Sequence, residues 1–406
     1  MSLANTSLVQ LRRIKEVTFG VTPVAGNAMN LRLTGESFNF DIKKEDSKEL
    51  RADRQTGYVV PVSAGASGGF NFHLSYGEYD PEIESVLQGT WGVYGTNGEG
   101  TTFTADFTLT TITASVAPVG ANAFTTLVRG QWFRLVAPTN ANDGRFFKVS
   151  STTTPTATVI TLDASTPAAV ASGVANCKVQ TSRVSNGIAQ TSYSYEKESP
   201  DVTQFFLFKG MTPGKMNLKM AAAGLTDGSF EFMGKDSTRG TATAIGAAQV
   251  ASRTYDIHSG ARSVSQLWEG GLPMTGSFIR SLDINVDNAQ RAQEAIANFG
   301  YVGIGSGTLR VTGTMEAYFS DGALYDKFLN NTFTSIVMGT QDTFGNGYIV
   351  TMPRVNLTSA KVTAGGKDQD LMVNFEYQAL SDDANSIPAL RKTIFFDRVG
   401  AALAPL

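Results

Sequence analysis

Gly65-Ala66-Ser67-Gly68-Gly69 has the Gly-x-Ser-x-Gly spacing of a serine nucleophile. That chemistry needs a strand, a sharp elbow at the serine and then a helix. Phe70 to Leu74 read instead as a strand, with His73 in that same strand, so Gly65 to Gly69 is expected to be a hairpin turn. Gly303-Ile304-Gly305-Ser306-Gly307 resembles a phosphate-cradling loop, but such a loop must lead into a helix N-terminus whose backbone dipoles meet the phosphate. Leu309-Arg310-Val311-Thr312 is a strand pattern, and a turn is again expected. Glu45, Asp46, Glu49 and Asp53 could be drawn into a calcium loop, yet Lys43, Lys44, Lys48, Arg51 and Arg54 are interleaved and compete for the carboxylates. A mixed-charge solvated loop or polar interface is the better reading. Cys177 is alone and His73 and His258 lie far apart, so neither a disulfide nor a zinc or haem site is expected. Cys177 reads as a small packing residue in a strand. No catalytic residue, metal or cofactor is assigned, and the chain is read as no enzyme.

The chain has 406 residues, 42% hydrophobic and 17% charged, with 41 glycines: enough for two or three domains with real cores, rich in short strands and turns. An all-β fold with short helices is expected. A net charge of −3 offers no field to draw in nucleic acid or an anionic membrane. Neither an apolar leader nor an 18-residue apolar run occurs, so a cytoplasmic chain without membrane contact is expected.

The elements repeat. Ser37-Phe38-Asn39-Phe40-Asp41, a polar stretch, Gly57-Tyr58-Val59, the run Gly69 to Leu74, and Tyr79-Asp80-Pro81 to Leu87 return in the same order. Their counterparts are Ser281-Leu282-Asp283-Ile284-Asn285, Gly300-Tyr301-Val302, Gly307 to Gly313, and Asp321 to Leu329. Each copy closes with a hairpin, Lys215 to Met233 turning at Asp227-Gly228 and Ser359 to Tyr377 turning at Gly365-Gly366, both alternating with period two. Asp80 before Pro81 reads as a helix N-cap, with Asp321 in that role in the second copy. Ile83, Val86 and Leu87, and likewise Leu324, Phe328 and Leu329, give each short helix an apolar face.

The expected organisation is an N-terminal arm over 1–36 and a first β unit from 37–97 and 190–236. An inserted β-barrel or sandwich at 98–189 carries strands at Phe103 to Ile112, Gln131 to Val136, Gly144 to Val149 and Ala157 to Leu162. A Gly/Ala/Ser-rich connector at 237–280, a second β unit at 281–382 and a C-terminal arm at 383–406 complete it.

Glu16-Val17-Thr18-Phe19-Gly20-Val21-Thr22-Pro23, the Ser37 strand, the charged loop through Arg54, the Tyr79-Asp80 helix and the ending Ile394-Phe395-Phe396-Asp397 together resemble the tail tube proteins of long-tailed bacteriophages, of the type with two tube domains in one chain. The resemblance covers residues 10–97 and 190–400 and leaves the insertion unexplained. It implies tandem β-sandwich or barrel domains whose sheets join around a channel for the genome. Rings of three chains with pseudo-sixfold symmetry would stack into a virion tail, assembled in the host cytoplasm. The implied partners are further copies of the chain, the tail terminator, tape-measure and distal tail proteins, and DNA passing without sequence-specific binding. Inter-ring contacts are implied for Lys43, Lys44, Glu45, Asp46, Lys48, Glu49, Arg51, Asp53 and Arg54, and in the second copy for Arg291, Ala292, Ala295 and Ile296, where a helical turn is expected.

Two alternatives stay open: another repetitive assembly subunit of baseplate, pilus-like or decoration type, and a carbohydrate-binding β-sandwich. The latter calls for convergent acids and aromatic platforms, whereas Trp91, Trp132 and Trp268 fall in separate regions.

Overall fold

The computed structural model describes residues 3–274, 278–320, 322–364 and 366–403. Period-two alternation makes most of the chain strand, with two α-helices among the described residues. Eight strands form one antiparallel sheet: β1 Asn39–Asp46, β2 Val59–His73, β3 Gln204–Ala221, β4 Asp227–Gly234, β5 Ile279–Asp287, β6 Arg310–Tyr318, β7 Gly347–Thr363 and β8 Met372–Ala379. Their order is β1-β2-β4-β3-β5-β6-β8-β7, so the last four strands repeat the arrangement of the first four.

One face of this sheet is apolar. Phe70, Phe72, Phe230 and Phe232 from the first half, and Leu282, Ile284, Met315 and Phe375 from the second, are buried in one continuous core. Phe72 stacks on Phe230 with ring centroids 5.0 Å apart, and burying each such side chain contributes about 1.5–3 kcal/mol. The long strands β3 and β7 carry β-bulges, between Pro213 and Lys215 and between Leu357 and Ser359. Beyond the bulges they leave the inner sheet for a second layer. There β3 pairs with Tyr193–Ser199 and Asp236–Gly240, and β7 pairs with Thr334–Gln341 and Phe395–Val399.

Helix α1, Asp80–Leu87, lies under this sandwich with Ile83, Val86 and Leu87 buried. Tyr79, not Asp80, stands at the N-cap. Asp80 is committed elsewhere, because its carboxylate accepts from the Tyr348 hydroxyl at 2.5 Å and from Arg398 at 2.5 Å. Helix α2, Ala323–Leu329, is preceded by Gly322, while Asp321 lies outside the described residues. Leu324 is its only buried residue and Leu329 is exposed, so its apolar face is narrower than expected.

The glycine motifs are strand, not turn. Gly65 to Gly69 lies inside β2, where a Cβ on Gly69 would come within 1.9 Å of the Phe230 carbonyl oxygen. Close strand approach, rather than chain reversal, demands glycine there. Gly303–Gly305 is likewise a short strand, paired with Arg291–Gln293. Asp227-Gly228 opens β4, the turn falling at residues 222–224; Gly365 of the second expected turn lies outside the described residues.

Six strands between residues 103 and 180 form a separate sheet in the order Val159–Thr161, Thr111–Ala114, Phe103–Phe107, Ala171–Gln180, Trp132–Val136, Phe146–Lys148. A Val149–Leu162 bridge brings its two ends together into a small barrel. Phe107, Ile112, Phe124, Phe133, Phe147 and Cys177 fill it, and burial pushes the Cys177 thiol up to about 11. The expected long strand Phe103 to Ile112 is broken after Phe107 by a turn. The terminal and connecting segments are also woven in. Gln10–Lys15 pairs with Tyr193–Ser199, Phe395–Val399 pairs with Ser182–Ser185 and β7, and Asp236–Gly240, Ala248–Val250 and Val264–Glu269 are strands.

Candidate assembly interface

The two halves meet at a seam between β3 and β5, paired from Lys215 opposite Asp287 to Ala221 opposite Ser281. Alternation puts Met216, Leu218, Ile284 and Val286 on the core side and Lys215, Asn217, Lys219, Asp283, Asn285 and Asp287 on the wet side. On that wet face Lys215 pairs with Glu231 at 3.1 Å and Arg280 with Glu316 at 3.5 Å. Glu231 and its hydrogen bond hold the Lys215 ammonium above its ordinary pKa.

The sheet ends in two edges. Among the described residues, β1 pairs only with β2, and the Ser359–Thr363 end of β7 pairs only with β8. Unpaired edges of this kind template further strand addition. The repeat fixes how they correspond. Phe230 faces Phe70 as Phe375 faces Met315, so β6 is β2 displaced by 245 positions. Glu36 faces Phe70 and Leu282 faces Met315, which places β5 two residues out of the step read from Ser37 and Ser281. Asp41 thus stands where Asp287 stands at the seam, and Ser359 where Lys215 stands.

Lys43, Lys44, Glu45 and Asp46 lie at the outer end of β1, and Lys48, Glu49, Arg51, Asp53 and Arg54 lie on the loop that follows, all exposed. Lys43 sits 3.9 Å from Glu45, and Arg51 grips Asp53 through two hydrogen bonds of 3.0 and 2.7 Å. Those bonds raise the Arg51 pKa and lower that of Asp53. The ribbon also shows Ile42, Leu50, Tyr58, Val59, Val60 and Val62 to solvent.

The second loop takes another form. Arg291 and Ala292 lie in a strand paired with Gly303–Gly305, and Ala295 and Ile296 follow in a turn closed by the Asn298 N–H on the Ala295 carbonyl at 3.2 Å, so the helical turn does not form. A hairpin saturates backbone groups that a helix of this length would leave open. Arg291 donates to the Ser306 carbonyl at 3.2 Å, and Ile296 is 99% exposed at the tip. The base of the loop meets the first half at Ala64, whose N–H donates to the Phe299 carbonyl at 2.9 Å.

A third contact left no mark in the sequence. Trp132 of the barrel meets Trp268 edge-on at 5.0 Å. The backbone N–H of Trp132 donates to the buried Asp397 carboxylate at 3.1 Å, and Arg183 holds the same carboxylate at 2.6 Å. Burial raises the Asp397 pKa, opposed by Arg183. Residues far apart in the chain converge here, and no local pattern marks them.

Among the described residues no group of three or more His, Cys, Asp or Glu is placed to hold a metal. A duplicated sandwich with one wet sheet face and two open edges defines a structural β subunit built for assembly. A family model described as phage tail tube protein matches residues 6–379, and the chain belongs to that family. The family is structural rather than enzymatic, and the chain is a tail tube component of a bacteriophage virion. No curated protein matches it.

Proposed function

We propose that three chains close edge to edge into a ring, that rings stack into the tail tube, and that the wet sheet face lines the channel through which the genome leaves the capsid. The seam between β3 and β5 carries this reading: it joins two equivalent halves and leaves outside it the same two edges that it joins inside. Repeating the joint between chains removes both exposed edges and makes assembly cooperative. Three chains of eight strands give a barrel of about 24 strands, with diameter growing with strand number.

The wet face suits a passing polyanion. Asp41, Glu231, Asp283, Asp287 and Glu376 are interspersed with Lys215, Lys219, Arg310 and Lys361, with Asn and Thr between them. Tight non-specific binding to DNA needs several lysines or arginines aligned with the phosphates, and among the described residues no such stripe runs along this face. The charged ribbon tip, Lys43 to Arg54, and Ile296 on the second loop are the contacts to adjacent rings. The tube's further partners are a terminator and a distal tail protein at its ends and a tape-measure protein inside, with assembly in the host cytoplasm. Electron microscopy of the concentrated protein is expected to show hollow tubes or annuli. Globular monomers at every concentration would reject the reading.

A further inference from the structure

The second loop does more than fold back, because it completes the first half's sheet. Strand β4 ends at Gly234 opposite Ala66. The vacated place beside β2 is taken by Phe299 to Tyr301, through the Ala64 N–H and a parallel bridge between Ala64 and Gly300. The Tyr301 ring covers Gly65 through its Cε2, Cζ and Oη, so close that a Cβ there would come within 2.2 Å of it. Burial, with Glu294 and Asp41 nearby, raises the Tyr301 pKa.

The same vacancy exists in the second half. Strand β8 ends at Ala379 opposite Val311. The displacement of 245 positions puts Leu309 where Ala64 stands and Arg310 where Gly65 stands. Among the described residues no strand continues beside Leu309, which is half-buried against the main core. Meanwhile Gly57-Tyr58, the counterpart of Gly300-Tyr301, has no such seat among the described residues of its own chain. Tyr58 is 68% exposed and Val59 57% exposed.

We propose that Tyr58 of one copy docks on Leu309 and Arg310 of the neighbouring copy, completing the second half's sheet as Tyr301 completes the first. The occupant is a second copy of this chain, a step that rests on the edge-to-edge ring. If β1 joins the neighbour's β7 as β5 joins β3, the loop after β1 crosses the neighbour's β7 and β8 to reach its β6. The loop after β5 reaches β2 by the same path within the chain. One difference follows from the residues. Arg310 has a side chain where Gly65 has none, so Tyr58 cannot approach the backbone as closely as Tyr301 does; the guanidinium stacks on the ring instead. The exposed Ile42, Val60 and Val62 are covered by the same contact.

Two cysteine pairs separate this proposal from the ring on which it rests. Asp41→Cys with Ser359→Cys reports the edge joint, and Tyr58→Cys with Arg310→Cys reports the docked tyrosine. Assembled tubes are treated with copper(II) phenanthroline and run on a non-reducing gel, with each single-cysteine variant as control. Covalent dimers and trimers from both pairs are expected. Cross-linking of the edge pair alone overturns the Tyr58 seat and leaves the ring standing, whereas failure of both overturns the ring and the seat together. All four positions are at the surface or on the edge, and circular dichroism of the unassembled protein checks folding. Tyr58→Ala is expected to raise the critical concentration for assembly about tenfold, and Tyr58→Phe to leave it nearly unchanged. An unchanged value in Tyr58→Ala also overturns the proposal.

Discussion

Asn217 donates a side-chain hydrogen bond to Asn285 at 2.6 Å, joining the wet faces of the two halves across the seam. At the open edges the equivalent positions are Lys361 and Asn39, with Asp41 diagonal to the lysine. A lysine reaches its diagonal carboxylate across a strand pair, a contact of about 0.2–1 kcal/mol that an aspartate at 361 removes and replaces with a like charge. Lys361→Asp is therefore expected to hinder ring closure while leaving the chain folded. Adding Asp41→Lys should restore assembly. Sedimentation velocity measures both, and a double variant no better than the single one would rule out this register.

The ribbon tip supplies a second expectation. Reversing Lys48, Arg51 and Arg54 to Glu should shorten tubes and lower their salt resistance while single rings persist. Each exposed ion pair contributes about 0.2–1 kcal/mol, but every copy in a ring presents the same set. Arg51 is already engaged with Asp53, so Lys48 and Arg54 should carry most of the effect. Wild-type tube length in the triple variant counts against inter-ring contact at this tip.

His258 is fully buried, with its Nδ1 against Thr340 at 2.8 Å. Burial pushes its pKa down from 6.5 to about 4, against Asp342 and Asp256, which raise it. The unfolded chain thus binds a proton that the folded chain refuses between those values. The resulting stability is present in full above about pH 6.5, falls as pH drops, and is lost by about pH 4, an effect of about 3 kcal/mol. His258→Gln is expected to flatten the acid side of the melting curve, measured calorimetrically between pH 4 and 7. An unchanged slope would mean that His258 takes up its proton equally in the folded and unfolded chains.

Trp132 tests how the barrel is attached. Trp132→Ala removes the edge-on contact with Trp268 and should destabilise the protein by about 3 kcal/mol. Deleting Gly100 to Thr181 and closing with a short Gly/Ser linker should leave a soluble chain that forms thinner tubes of the same bore. The ends are adjacent, since the Thr181 N–H bonds the Gly98 carbonyl at 2.7 Å. A folded deletion variant that makes no tubes would assign the barrel a part in assembly.

The order of the repeat is legible because alternation survives in single strands, but its register is not: Leu309 to Thr312 reads as the counterpart of Phe70 to Leu74, whereas the pairing makes Met315 the counterpart of Phe70 and Leu309 that of Ala64. The glycines mislead for a physical reason, since Gly69 serves close approach to Phe230 and close approach leaves no local pattern distinct from a turn. Asp80 reads as an N-cap because its distant partners, Tyr348 and Arg398, are invisible locally. The Trp132–Trp268 contact was hidden in the same way. The two-residue displacement between β1 and β5 shows only in the pairing, because a shift of two keeps every side chain on its face.

Ring stoichiometry tests the central claim most directly. With two equivalent halves per chain, native mass spectrometry of rings released from tubes is expected to give the mass of three chains. Tube images should show alternating halves around the bore. Six chains per ring would place twelve halves about the axis and contradict the claim that the seam inside the chain is the joint between chains.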